Sequence, residues 1–364
     1  MATSVVGPYS SARILGCRIA MFTLLTPRGL HGAMPRDYWH VLEPTGRHIQ
    51  RDSLGGYYID MRHKARPYKG PTQDGFPLRN QNGEGLQLLP VTVTQMALGH
   101  YDCFLEDGDL ERQRTIARCA DWLIEAHGPC PGKQDGWSYG FDHGRLGIKA
   151  PFISAMGQGQ GISLLVRAHK LIGDDRYLDA ARVALQPFFH SVEDGGVIAH
   201  LPGGGVTLEE YPSRPYSHIL NGFIFALWGV HDFAIHTGDD RAAELAERAV
   251  DTLADMMPRY DVGYWSRYGL FPHPRPNVAS PFYHELHIAQ LRGLKEIYPR
   301  DVFTEFADRW ERQFASWTNF TRAVYGKVRF KRWVKQTKRQ LVAAGIEVDE
   351  ATEIWTGQTA SLPA

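Results

Sequence analysis

The sequence predicts a mainly α fold, an incomplete α/α toroid of about four helical hairpins, with a small β-containing region ahead of it. Three observations predict this. Apolar residues recur at three- and four-residue steps in segments that come in pairs. Gly108, Gly173 and Gly238 mark the turns inside the first three pairs at a constant interval of 65 residues, an internal repeat of a helix–turn–helix unit. Loops rich in glycine and aromatic residues, 136–149, 195–216 and 263–280, each precede the first helix of a pair. Such loops gather at one end of the assembly, and long unequal loops on a rigid scaffold favour a site there. A solenoid of the same hairpins without a central cleft is the plainer alternative.

Taken in order, residues 1–85 read as irregular or β-rich, with Gly55–Met61 as a turn and a short strand. Ile19–Leu25 is apolar but closely bracketed by Arg18 and Arg28, and reads as a buried strand or helix, with a poor signal peptide as the lesser alternative. The toroid runs from 86 to 320. Its predicted helices are 86–105 and 110–126, then 154–171 and one ending near Phe189. After these come 217–235 and one ending near Met257, then 281–297 and one ending near Trp317. In the first three turns an aspartate (Asp109, Asp174, Asp239) stands where it can cap the following helix. Residues 321–364 form a basic C-terminal helix and a tail. Eight basic residues between Arg322 and Arg339 are interleaved with Val324, Val328, Phe330, Trp333 and Val334. That pattern predicts a helix packed by its apolar stripe with a solvated basic face. The functional counterpart is contact with an anionic partner, a membrane surface or a glycan. After Gly345 the tail reads as disordered.

Composition excludes several classes. Lys plus Arg and Asp plus Glu both number 40 in 364 residues, which argues against a nucleic-acid binder. Cys17, Cys103, Cys119 and Cys130 form no Cys-x-x-Cys pair, and the helical positions of Cys103 and Cys119 suit buried thiols. No apolar run is long enough to span a bilayer, so the expectation is a cytoplasmic protein, membrane-associated at most peripherally.

Chemistry concentrates in the loops. Leu208-Glu209-Glu210-Tyr211-Pro212 places two carboxylates and a tyrosine on a proline-stiffened turn before the helix carrying Asn221-Gly222-Phe223. The plain alternative is an acidic cap before a buried helix. Tyr264, Trp265 and Tyr268 lie in the next loop, and Phe282, Tyr283, His284 and His287 follow it. A cleft of rings and carboxylates suits a sugar, since pyranose faces stack on rings while hydroxyls need fixed polar partners. His284 and His287 are three apart rather than four, so they do not form the helical zinc motif. Gly157-Gln158-Gly159-Gln160-Gly161 fails the dinucleotide fingerprint, and its glycines instead let an inner helix approach its neighbours or a ligand. No cofactor is expected.

Several of these stretches resemble the D-glucuronyl C5-epimerases. They are 154–163 with Arg167-Ala168, Glu209–Pro212, 221–223, Tyr260-Asp261 with Tyr268, Pro276-Asn277, and Tyr283-His284 with His287, in matching order from about Tyr57 to Trp317. The resemblance implies an α/α toroid that inverts C5 of D-glucuronate to L-iduronate within a heparosan- or heparan-type polysaccharide. It points to Glu210, Tyr211, Tyr268 and Tyr283 as the acid–base set and to Asn221 and Asn277 as sugar-holding residues. His287, Gln160 and Tyr57, inside the matching stretches, join the substrate-binding set. Inversion needs acid–base groups on opposite faces, here assigned to Glu210 and to Tyr268 with Tyr283. An anionic polysaccharide is the implied partner, and a homodimer a modest further implication. One departure stands out: family members carry an arginine shortly after the tyrosine matched by Tyr268, where this chain has Leu270-Phe271-Pro272. Arg275 is the expected substitute, ahead of Arg214 and Arg267. The rival readings are a toroidal uronate lyase and a non-catalytic glycan-binding protein.

Overall fold

The computed structural model describes residues 26–33, 38–40, 45–81, 85–347 and 352–357. Ile19–Leu25 lies outside them. The described helices are α1 (Pro27–Ala33), α2 (Pro90–Asp107), α3 (Leu110–Glu125), α4 (Ala155–Ile172), α5 (Asp175–Leu185), α6 (Leu220–Thr237), α7 (Asp240–Met256), α8 (Pro281–Ile297), α9 (Asp301–Ala315), α10 (Trp317–Ala343) and α11 (Thr352–Thr356). The strands among the described residues are short antiparallel pairs. None of the described helices is long and apolar enough to cross a membrane.

The hairpins are α2–α3, α4–α5, α6–α7 and α8–α9; the first three follow the 65-residue repeat and the fourth comes slightly early. At the first three turns Gly108, Gly173 and Gly238 hold left-handed φ of 65°, 80° and 72°, a conformation open to glycine at little cost. Asp109, Asp174 and Asp239 then cap α3, α5 and α7 with their side chains. Burial separates two layers. Every residue of α6 from Leu220 to Ala234 is buried, whereas α7 buries a single stripe. The inner helices α2, α4, α6 and α8 pack side by side in that order, each with its outer partner behind it. This is the incomplete α/α toroid.

Between α2 and α8 the chain itself fills the gap. Tyr57–Met61 has one isolated bridge, between Thr45 and Ile59, rather than the expected strand. The Tyr57 and Met61 N–H groups donate to the Asp102 carboxylate of α2 at 2.8 and 3.2 Å. On the other side Gly293 of α8 meets the Tyr58 carbonyl so closely that a Cβ there would lie 2.9 Å away. Tyr58 also donates to Asp232 of α6 at 2.7 Å, and Asp232 pairs with Arg167 of α4 at 2.5 Å, all fully buried. One hydrophobic core therefore runs from the N-terminal segment through the whole ring.

The glycine run in α4 lets α4 and α6 touch backbone to backbone. A Cβ on Gly229 would stand 2.1 Å from the Gly159 carbonyl oxygen. Gly229→Ala is expected to cost about 1–3 kcal/mol through overpacking, read as a Tm lower by several degrees in thermal melts. An unchanged Tm would refute the close approach.

Two boundaries differ from the sequence reading. Leu86 and Gln87 pair with Asn80 and Arg79 as a strand, so α2 starts only at Pro90, whose missing N–H suits a first helical turn. Within the tail, expected to be disordered, residues 352–357 form α11: its Trp355 is 1% exposed, and its ring meets Trp333 of α10 edge-on at 5.7 Å. Together with Leu341 it joins Tyr139, Phe141, Leu146, Phe152 and Phe271 in a second, smaller core at the loop end. Cys119 is buried, as expected, but Cys103 is only partly so.

Candidate active site

The strand Val206–Leu208 pairs with Ile198–His200 and runs straight into Glu209 and Glu210. Side chains alternate across an extended chain, so the two carboxylates part company. Glu209 turns into the protein. It accepts from Thr207 Oγ1 at 2.9 Å, from the His218 and Ser217 N–H groups at 3.0 and 3.2 Å, and faces His218 Nδ1 at 2.6 Å. Its role is to fold the 209–218 turn back on itself. Glu210 turns the other way, into a cavity of about 280 Å³. Gly222 makes room for it: a Cβ there would stand 2.2 Å from Glu210 Oε2, a steric reason for glycine beside Asn221.

The three loops converge on this cavity as expected. Tyr139 and Arg145 come from the first loop, Glu210 and Tyr211 from the second, Tyr268 from the third and Tyr283 from the start of α8. Backbone ties fix Tyr268: its N–H donates to the Asn277 carbonyl at 2.8 Å, and its own carbonyl accepts from the Leu220 N–H at 3.2 Å. The Tyr268 and Tyr283 rings meet edge to face with centroids 4.8 Å apart. Asn221 completes the wall, with its side-chain oxygen buried and without a hydrogen-bond partner among the described residues.

Burial sets the electrostatics. The Glu210 carboxyl is pushed up to about 8, first by desolvation; the Tyr211 phenol and Arg79 guanidinium pull the other way, and Glu209 adds to the rise. Among the described residues Glu210 Oε2 has no hydrogen-bond partner. The phenols of Tyr211, Tyr268 and Tyr283 are all raised by desolvation; Glu210 adds to each rise, and Arg79 opposes it at Tyr283. At neutral pH the tyrosines therefore keep their protons, and Glu210 is the carboxyl on the wall that ionises near neutrality.

Arg79 and Arg145 stand on the wall, and among the described residues neither pairs with a carboxylate. Arg145 Nη1 lies 2.7 Å from His273 Nε2, and the Arg145 guanidinium is pushed down by burial. Lys327 of α10 reaches in behind Tyr268. Its Nζ donates to Asn277 Oδ1 at 2.8 Å and lies 5.3 Å from the Tyr268 ring centroid. Desolvation, then Lys331 and Arg145, push it down to about 7.

The other expected substrate residues sit elsewhere. Arg275 is exposed and off the wall, and Arg214 is exposed and paired with Glu193. Arg267 is half-buried and also off the wall. Asn277 is buried beside a small adjoining cavity and holds Lys327. His287 and Gln160 are fully buried in the second row, the first facing Ser266 Oγ at 2.9 Å and the second accepting from Gln95 at 3.3 Å. Tyr57 is fully buried, its ring stacked against Phe225. The sequence reading missed Arg79, Arg145 and Lys327. Arg145 had a signal, since it falls in one of the three converging loops. Arg79, isolated in an irregular stretch, had none, and Lys327 was hidden in a basic run.

Residues 132–312, which carry Arg145, Glu210, Tyr211, Tyr268 and Tyr283, match the D-glucuronyl C5-epimerase C-terminus. Through that segment the chain belongs to the D-glucuronyl C5-epimerase family. A D-glucuronyl C5-epimerase of Caenorhabditis elegans is 34% identical over 220 residues, covering 55% of this chain and 35% of the relative. An uncharacterized protein of Methanocaldococcus jannaschii is 27% identical over 177 residues, covering 48% of this chain and 56% of its own length. The chain thus spans about a third and about half of these relatives. Among solved structures, an unsaturated glucuronyl hydrolase of Bacillus sp. GL1 is 16% identical, with 61% of this chain and 60% of that one covered and a TM-score of 0.41. Arg79 and Lys327, by contrast, lie outside the family segment.

Proposed function

We propose that this chain inverts C5 of D-glucuronate residues to L-iduronate within an anionic polysaccharide of the heparosan or heparan type. The observation that carries the reading is the convergence of one carboxyl near 8, three protonated phenols and two acid-free guanidiniums on a single cavity. The C–H α to a carboxylate is a weak acid, and its removal puts charge on that carboxylate, so cations must face it. Arg145 and Arg79 supply them, in the role first given to Arg275. Glu210, as carboxylate, takes the C5 proton on one face. A phenol of the Tyr268–Tyr283 pair gives a proton on the other. Glu210 ends neutral and the tyrosine ends as phenolate, with Arg145 as the nearby cation that steadies it. Exchange with solvent resets both groups. Asn221 offers the sugar hydroxyls a fixed polar partner.

The test is incubation with heparosan in deuterated water, followed by NMR. Deuterium at C5 together with iduronate supports the reading. An unsaturated uronate, seen by its ultraviolet absorbance, would make the chain a lyase. Arg145→Gln is expected to lower kcat/KM for C5 exchange at least about tenfold, the scale of one lost charge-assisted contact. Arg275→Ala should stay within about twofold. The reverse order would return the carboxylate to Arg275.

A further inference from the structure

The charge of this chain balances overall, yet α10 carries eight basic residues and no acidic one between Trp317 and Ala343. Its lysines are not scattered. Lys327, Lys331, Lys335 and Lys338 follow one another at four, four and three residues, which sets them in a single row along the helix, about 16 Å from first to last. Phe330, Thr337 and Leu341 are the buried flank beside that row. Lys331, Lys335 and Lys338 are exposed, and none pairs with a carboxylate among the described residues. Both ends of the row bear on the active site, one by contact and the other by charge alone. At one end Lys327 holds Asn277 and lies against the Tyr268 ring. At the other, Lys338 acts on His143 of the cavity wall, whose imidazole is pushed down to about 4 by burial first, then by Arg145, and further by Lys338.

We propose that Lys331, Lys335 and Lys338 form a rail for the flanking anionic residues of the glycan whose reacting uronate occupies the cavity. This rests on the reading of the cavity as a uronate-polymer site. A row of unpaired cations beside a cleft raises the local concentration of a polyanion and steers it in. A lipid surface fits less well. Membrane-lying helices present an apolar face, but here Phe330 and Leu341 are buried in the fold and Trp333 packs on Trp355. Of the exposed large apolar residues of α10 only Tyr325 and Val328 are neighbours, while Trp317 and Val342 stand apart at the two ends, so no continuous apolar face is presented.

The test uses the full chain with Lys331→Gln, Lys335→Gln and Lys338→Gln combined, all exposed positions outside the catalytic set. Binding and C5 exchange are measured on long heparosan and on a heparosan trisaccharide, at low and moderate salt, alongside flotation with phosphatidylserine vesicles. The variant is expected to bind long heparosan about tenfold more weakly and to raise KM in step, with kcat unchanged. Its affinity for the trisaccharide should move less than about twofold, and its response to salt should be flatter than that of the wild type. Unchanged binding of long heparosan overturns the rail, as does equal weakening on the trisaccharide. A loss confined to vesicle binding overturns it in favour of a membrane contact. No heparosan binding by the wild type overturns it as well. If the wild type binds the polymer but exchanges no C5 hydrogen, the epimerase reading falls, while the comparison of binding still decides the rail.

Discussion

Glu210→Gln is expected to fold and to lose C5 exchange by at least about a hundredfold, the lower scale for a positioned acid–base group. The amide keeps the shape that Gly222 accommodates but cannot take a proton. In the wild type, kcat/KM should climb with pH along a limb centred near 8, because only ionised Glu210 is a base. The same substitution carries a stability signature of definite sign. The carboxyl ionises near 4.5 in the unfolded chain and near 8 in the fold, so folding favours the protonated form. The stability tied to that proton is complete below pH 4.5 and is lost as pH rises through 8. Glutamine has no proton to lose. The variant should therefore melt about 2–5 °C above wild type at pH 8.5 and level with it at pH 4.5. Near-wild-type exchange would remove Glu210 from the chemistry, and equal melting at both pH values would place its carboxyl in water.

Tyr268→Phe and Tyr283→Phe form the second test. Each keeps the edge-to-face ring contact and removes only a hydroxyl. Each variant should bind heparosan and lose C5 exchange by about a hundredfold or more. If the rings are only packing, each change costs about one hydrogen bond, roughly 1 kcal/mol, and turnover persists. Deuterium exchange and thermal melts on the same samples separate the outcomes. A large loss in one variant and not the other would identify the phenol that serves the second face. Exchange within a few-fold of wild type in both would leave Glu210 without a partner.

How much of the site was legible follows from how each residue acts. Glu210, Tyr211, Asn221, Tyr268 and Tyr283 lie in short stretches whose composition already joins carboxylate, ring and glycine, and all five reach the cavity wall. Tyr57, Gln160 and His287 lie in equally distinctive stretches, yet each is fully buried and off the wall. Distinctive local sequence marks an environment, and packing behind a site is as demanding as lining it. The cations went furthest astray. An arginine carries the same charge wherever it stands, and only distance and desolvation decide which one meets the substrate. Arg275 has three prolines within three residues, and the turn they form leaves it in solvent. Arg145 comes from a loop over a hundred residues earlier and ends beside His273.

The hairpins, their turns and their caps were determined by the sequence alone. Periodicity, a left-handed glycine and an aspartate at each of three turns act within a few residues of one another, so local physics suffices. The inner and outer layers were also readable, because a helix apolar all round has to be buried. Only the tertiary structure decided what closes the ring and what faces the cavity. Tyr57–Met61 fills the gap between α2 and α8 because Asp102, Gly99 and Gly293 leave a slot of its shape. Trp355 folds back because α10 and three loops offer an apolar bed. Glu210 has its raised affinity for a proton because those loops together exclude water. Each of these depends on residues far apart in the chain, and burial is a property of the assembled surface that no stretch of sequence carries by itself.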